Sequence, residues 1–333
     1  MADTYRVLVA GASGYAGALA ARLVDRHPQL ELTAVTSRSD AGRRLDELYP
    51  HHRVSRVLDV LDLELIAQPP DIDAAIVAYP HAAAAPVVAE LRARGIKVVD
   101  LSADFRLRDV ATYEQWYGEH PVPELIADAV YGLPELYREQ LRGADLVACP
   151  GCFPTASILA LAPLAPYLTD VVIDAKTGVS GAGRAATART HFVSVAENVL
   201  PYNVTGHRHV PEIRQELGVS GAPDGLPVSF VAHLVPLDQG ELVSCYATLS
   251  EDVDPAAVLA EAYADEPYVE VVDTPPGVRD VRETNVCRIH AVRDSTGRAL
   301  VFAAIDNLWK GTSSQAIQNL NLMLGLDETA GLQ

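Results

Sequence analysis

The chemistry of this chain gathers first at Pro150-Gly151-Cys152-Phe153-Pro154-Thr155-Ala156. A proline suits the first turn of a helix, because its missing N–H needs no partner there and its φ is already helical. Pro154 and the apolar residues behind it, Ile158, Leu159, Leu161 and Ala162, put Cys152 at or just before a helix start. Unsatisfied amides and the positive dipole end favour thiolate over thiol at such a place, so Cys152 reads as a nucleophile. A small buried hydrophobe is the other reading of a free cysteine.

Four further clusters bear on that choice. Gly11-Ala12-Ser13-Gly14-Tyr15-Ala16-Gly17 lies between an apolar strand and a helix, where glycines let the backbone approach a pyrophosphate. After the next strand come Ser37 and Arg38, whose hydroxyl and guanidinium suit the 2′-phosphate of NADP, although Asp40 follows closely. Val179-Ser180-Gly181-Ala182-Gly183-Arg184 reads either as a phosphate cradle of amides with one arginine or as a flexible hairpin. His207 and His209 stand two apart in a segment expected to be extended, which puts both rings on one side. They are acid/base candidates, with Glu212 either orienting them or serving as a favourable first-turn acid. No third ligand accompanies the pair, so no metal is expected. Arg106, in Asp100-Leu101-Ser102-Ala103-Asp104-Phe105-Arg106 at a strand end, is either a carboxylate fork or one half of a surface ion pair.

These groups need a scaffold, and its first half is legible. Strands are expected at Tyr5–Ala10, Leu32–Thr36, Ala74–Ala78, Lys97–Asp100 and Leu146–Cys149, alternating with helices at 16–26 and 83–94. That alternation predicts an α/β domain with a doubly wound parallel sheet. Beyond Cys152 the pattern turns to strands at 171–176, 228–236, 242–250, 268–272, 286–293 and 301–305, with helices at 210–217 and 254–264. This predicts an α+β domain with a mixed or antiparallel sheet, followed by a closing helix at 313–326.

Composition narrows the function class. With 333 residues the chain is long enough for two domains, and its formal net charge of −18 disfavours nucleic acid or an anionic membrane as partner. Four scattered cysteines fit neither a disulfide framework nor a zinc site, and point to a reducing cytoplasm. No signal peptide is visible, and the apolar stretch 74–88 is broken by Pro80, His81 and Pro86, so a soluble protein is expected.

With Tyr131–Leu136 (YGLPEL) and DNLWKG followed by QAIQNLNL, these motifs run in order over nearly the whole chain. Together they resemble the N-acetyl-γ-glutamyl-phosphate reductase family of arginine biosynthesis. The resemblance implies a Rossmann-type domain over 1–150, completed by 311–333, and a catalytic and oligomerisation domain of semialdehyde-dehydrogenase type over 151–310. It implies Cys152 as the nucleophile that forms a thioacyl enzyme, NADPH as hydride donor, and His209, or else His207, in proton transfer. NADP would contact Gly11, Ser13, Gly14, Tyr15, Ala16, Gly17, Ser37, Arg38, Ser180, Gly181 and Asn307. Arg106, Ser180, Gly183, Arg184 and Glu212 would hold the substrate carboxylate and phosphate. A homodimer or homotetramer is implied. The alternatives are a reductase of the analogous lysine route, acting on a one-carbon-longer or carrier-linked substrate, and a non-enzymatic NADP-binding regulator. Three positions depart from common family patterns: Cys149 in place of Asn, and Ala82 and Ser314 in place of Gly.

Overall fold

The computed structural model describes residues 4–61 and 72–332. The chain forms two compact units, Met1–Pro150 with Thr312–Gln333, and Gly151–Gly311.

The first unit is built on six parallel strands among the described residues: β1 (Tyr5–Ala10), β2 (Leu30–Thr36), β3 (Ala74–Val77), β4 (Lys97–Asp100), β5 (Ala129–Tyr131) and β6 (Leu146–Ala148). Val7, Val9, Ile76, Val99 and Val147 are wholly buried, as continuous apolar runs must be when a parallel sheet is covered on both faces. The strand order is β2-β1-β3-β4-β6-β5, so the sheet reverses its winding direction between β1 and β3. Ligands of doubly wound sheets bind at the carboxyl ends of such strands. The helix Tyr15–Arg26 buries Ala18, Leu19, Ala21, Leu23 and Val24. The late helix Ser314–Leu324 belongs to the same unit. Ser313 Oγ donates to Ala16 O at 2.9 Å, Asn319 Nδ2 donates to Gly132 O at 2.9 Å, and Arg138 pairs with Glu328 at 2.8 Å. The strand β5 and the helices Val110–Tyr117 and Pro134–Leu141 were not anticipated; three residues are too few to show a period.

The second unit carries β7 (Leu168–Thr177), β8 (Leu200–Tyr202), β9 (Val228–Leu234), β10 (Glu241–Leu249), β11 (Val269–Val271), β12 (Cys287–Arg293) and β13 (Ala299–Ile305). Their order is β11-β12-β13-β10-β7-β9-β8, with β7/β9 and β11/β12 parallel and the other pairs antiparallel. Along β7, Val171, Ile173 and Ala175 are buried while Val172, Asp174 and Lys176 are partly exposed, the alternation of a sheet with one face on a core. That core holds the helix Cys152–Leu161, which packs on β10 and β13 with the helix Val210–Val219 beside it. Every residue from Phe153 to Leu161 is buried, and a helix apolar on all sides has no other stable place.

Candidate active site

In the first unit, Gly11 has φ +85, and a Cβ there would lie 2.6 Å from Ala78 O, just past β3. A Cβ on Gly17 would stand 2.3 Å from Gly11 O, so the loop and the helix meet backbone to backbone. Gly14 caps the helix Tyr15–Arg26 without a side-chain cap bond, and no first-turn residue is acidic. That end is disposed to take an anion. Ser13 and Ser37 share a hydrogen bond of 2.8 Å, and the Tyr49 hydroxyl donates to Ser13 O at 2.8 Å, fixing the two loops together. Arg38 is exposed, its guanidinium 5.0 Å above the Tyr79 ring. Asp40 is turned away into a bond with Ser39 at 2.8 Å and an ion pair with Arg43 at 3.3 Å. The loop residues Tyr15 and Ala16 open the helix. A cradle that a Cβ would fill, an uncapped helix start and a guanidinium at the rim fit a phosphorylated dinucleotide.

Arg106 is not on the surface. It is buried, with Nε donating to Cys149 O at 2.7 Å and Nη2 to Leu101 O at 2.8 Å, so it clamps the chain leaving β4 to the chain leaving β6. The sequence showed no sign of this, because both acceptors are main-chain atoms.

In the second unit, Gly151 is the N-cap and Cys152 the first residue of its helix. The half-buried thiol there is favoured as thiolate by the helix end. Glu212 was expected among the phosphate ligands or beside the histidines. Its buried carboxylate instead accepts the Gly151 N–H at 3.0 Å. A carboxylate repels a phosphate dianion, and this one supports the turn that presents Cys152. Gly311 closes the other side: a Cβ there would be 2.8 Å from Cys152 Cβ.

The segment around His207 and His209 is a turn rather than an extended strand, with His209 capping the helix Val210–Val219 in αR geometry. The rings still meet, their centroids 4.8 Å apart, and both lie against Phe153, the residue after the nucleophile, at 5.7 and 5.8 Å. His207 is buried, and burial together with the Arg208 charge lowers its pKa to about 4. Its Nδ1 accepts the His209 N–H at 3.2 Å, leaving the proton of the neutral ring on Nε2.

Ser180 and Asn307, far apart in sequence, are joined by Asn307 Nδ2 donating to Ser180 Oγ at 3.0 Å. Asn307 Oδ1 accepts the Gly240 N–H at 2.7 Å, tying this pair to the start of β10. Gly181 sits over the Thr177 hydroxyl, Gly183 turns at φ +83, and Arg184 is exposed. A hydroxyl and an amide held rigidly at a loop with a surface arginine can receive a phosphate.

One residue was missed. Glu241 opens β10 opposite Thr177 and Ile305, and its side chain is wholly buried. Neither carboxyl oxygen reaches a partner with full hydrogen-bonding geometry. Burial raises its pKa to about 8, only partly offset by the Cys152 thiol and Thr177 hydroxyl beside it, with Asp306 adding to the rise. The sequence signal was an acidic residue at the mouth of an apolar strand, which reads as solvated until the packing is known.

Residues 6–144 match the semialdehyde dehydrogenase NAD binding domain, and residues 152–307 match the semialdehyde dehydrogenase dimerisation domain. Among solved structures, aspartate semialdehyde dehydrogenase II of Vibrio cholerae shares the fold, with a TM-score of 0.73 over 97% of this chain and 99% of that one at 17% identity. The enzyme from Candida albicans, crystallised with NADP, gives a TM-score of 0.69 over 97% and 99% at 15% identity. The two family matches thus define the class as that of the semialdehyde dehydrogenases, and the fold is theirs. Curated relatives narrow this further. The N-acetyl-gamma-glutamyl-phosphate reductase of Desulforudis audaxviator is 48% identical over 98% of this chain and 97% of its own. Those of Pelotomaculum thermopropionicum and Dehalococcoides mccartyi are 46% and 44% identical over 98% and 99% of this chain, and over 97% of their own. This chain belongs to the N-acetyl-γ-glutamyl-phosphate reductase family.

Proposed function

We propose that the chain reduces N-acetyl-γ-glutamyl phosphate to N-acetylglutamate 5-semialdehyde with release of phosphate, as a step of arginine biosynthesis. The observation that carries this reading is end-to-end similarity at 44–48% identity to reductases of that name. The position of Cys152 at a helix start, with two histidine rings against the next residue, Phe153, agrees with it.

The Cys152 sulfur attacks the acyl carbon, and the C–O bond to phosphate breaks to leave a thioacyl enzyme. NADPH, when bound, supplies the hydride that takes the acyl group to the aldehyde level. Gly11, Ser13, Gly14, Tyr15, Ala16, Gly17, Ser37 and Arg38 would hold it, and Ser180, Gly181 and Asn307 are the further candidates from the resemblance. His209 moves protons at the substrate oxygen. His207, neutral at working pH, is the less suited of the pair to donate one. Ser180, Gly183 and Arg184 receive the phosphate. Glu212 and Gly311 fix Cys152 in place, and Arg106 either meets the substrate carboxylate or acts only as the clamp described above.

The first unit serves cofactor binding, and the second serves catalysis and oligomerisation. Phe192, Val193, Val199 and Val204 are exposed in the second unit, as an oligomer interface requires. No helix among the described residues is long and apolar enough to cross a membrane, and the four free thiols suit a cytoplasmic enzyme. Phosphate-dependent oxidation of N-acetylglutamate 5-semialdehyde with NADP tests the reading. Turnover is expected with this substrate and not with its one-carbon-longer homologue, and Cys152→Ser should bind NADP yet lose turnover. Equal rates on both aldehydes would refute the substrate assignment.

A further inference from the structure

Beside Cys152 lies a second ionisable group that the reaction above does not use. Glu241 is carried there by three independent contacts of the fold. The helix that begins at Cys152 packs on β10, which begins at Glu241. Gly311 packs against both Cys152 and Ile305, and Ile305 is paired with Glu241 across the sheet. Thr177 is its partner on the other flank. Burial holds the Tyr202 phenol toward its protonated form, and the charges of Cys152 and Glu241 both add to that push.

A fully buried carboxyl without a full hydrogen-bond partner is costly, on the order of a few kcal/mol. A solvent-facing residue at a strand end would incur no such cost. Such a group is stable in the site only if it spends part of its time protonated, and the thiol is the proton source beside it.

We propose that Glu241 is a catalytic residue that accepts the proton of Cys152 as the thiol attacks. This rests on Cys152 being the nucleophile. The S–H bond breaks, its proton passes to a Glu241 oxygen, and the sulfur electron pair forms the S–C bond. The C–O bond to phosphate breaks with its pair going to oxygen, and Glu241 returns the proton to the departing phosphate, which leaves as hydrogen phosphate. Charge is conserved, and the buried site never holds thiolate and carboxylate together. The other groups facing the couple are Asp306 at the end of β13, the Thr177 hydroxyl on β7 and the Tyr202 phenol on β8. Arg282 acts on Asp306, and Arg189 on Tyr202. No cation is among the groups that perturb Glu241 itself; the Cys152 thiol and the Thr177 hydroxyl are its hydrogen-bonding neighbours, and of these two the thiol is the stronger acid.

The test is the pH dependence of iodoacetamide alkylation at Cys152, located by mass spectrometry, in the full-length wild type and in Glu241→Gln. Two coupled acids titrate in two macroscopic steps. The wild-type rate is expected to rise in two inflections, and that of Glu241→Gln in one, below the upper wild-type value. The same variant is expected to lose about 10²-fold in kcat for phosphate-dependent oxidation, the lower end of a lost proton transfer, with KM little changed. Glu241→Asp is expected to recover part of the loss and both inflections. Superimposable wild-type and Glu241→Gln profiles would overturn the proposal. A single wild-type inflection does so too, and needs no variant. If Cys152→Ser keeps turnover, the nucleophile reading fails instead, so the two failures are told apart.

Discussion

Gly311→Ala places one methyl group against the nucleophile. The added Cβ would sit 2.8 Å from Cys152 Cβ and 3.3 Å from both Asp306 O and Ile305 Cδ1. Ordinary contact begins near 3.4 Å, so the pair must separate by about 0.6 Å or more. Neither side yields easily. Gly311 N donates to Asp306 O at 3.0 Å, and Cys152 begins a helix whose next nine residues are buried. Overpacking of this kind costs about 1–3 kcal/mol, or roughly 2–4 °C of Tm per kcal/mol in a domain of about this size. The chemical effect is larger. A nucleophile displaced by something approaching 1 Å loses on the order of 10²-fold in rate. The variant should therefore melt a few degrees lower, bind NADP as the wild type does, and show kcat/KM for phosphate-dependent semialdehyde oxidation down about 10²-fold. Differential scanning calorimetry, NADP titration and steady-state kinetics measure the three quantities. Wild-type kcat/KM in a folded Gly311→Ala variant would refute the claim that this contact positions Cys152.

Other outcomes follow from the same geometry. Gly17→Ala puts a Cβ 2.3 Å from Gly11 O, so NADP titration should find binding lost along with some stability. Ala82 is held at φ +62 while its N–H is bound by Asp104 at 2.7 Å, and Ala82→Gly should raise stability by about 0.5–1 kcal/mol by relieving the left-handed strain. Glu212→Ala leaves the buried Gly151 N–H without its acceptor, at about 1–3 kcal/mol in urea unfolding, whereas Glu212→Gln, which keeps an acceptor oxygen, should lose less. His207 has a folded pKa of about 4 against 6.5 unfolded, so above pH 6.5 it is neutral in both states and contributes nothing. Between pH 6.5 and 4 the unfolded chain takes up a proton that the folded one refuses, and stability falls by up to about 3 kcal/mol. Urea unfolding at pH 7 and 4.5 should show His207→Gln losing less stability on acidification than the wild type, and equal losses would refute the assignment.

Much of the fold could be read without coordinates, for identifiable reasons. The apolar runs Val7–Ala10 and Ala74–Val77 mark strands because parallel strands are covered on both faces. The alternation in β7 and β9 marks strands with one covered face. Gly11 and Gly17 declared a tight loop before a helix, and the atoms that a Cβ would strike show why no other residue serves there. Pro154 placed Cys152 at a helix start, since a proline is tolerated only in that first turn. The element ends moved by one to three residues, and the three-residue strands β5 and β8 carried no pattern to read.

What the sequence determined by itself was therefore local: which residues make strands and helices, where the glycine loop and the reactive cysteine fall, and which family the motifs resemble. The partners of the polar side chains belonged to tertiary structure. Arg106 reaches carbonyls on two strand ends, Glu212 supports a glycine 61 positions earlier, Asn307 joins Ser180 to Gly240, and Glu241 comes to rest beside Cys152. The physical reason is one of range. Backbone propensity and hydrophobic period act over a few residues. The fate of a buried charge depends on which atoms the finished fold sets within a few ångströms of it, and for Glu241 those atoms come from strands and a helix distant along the chain.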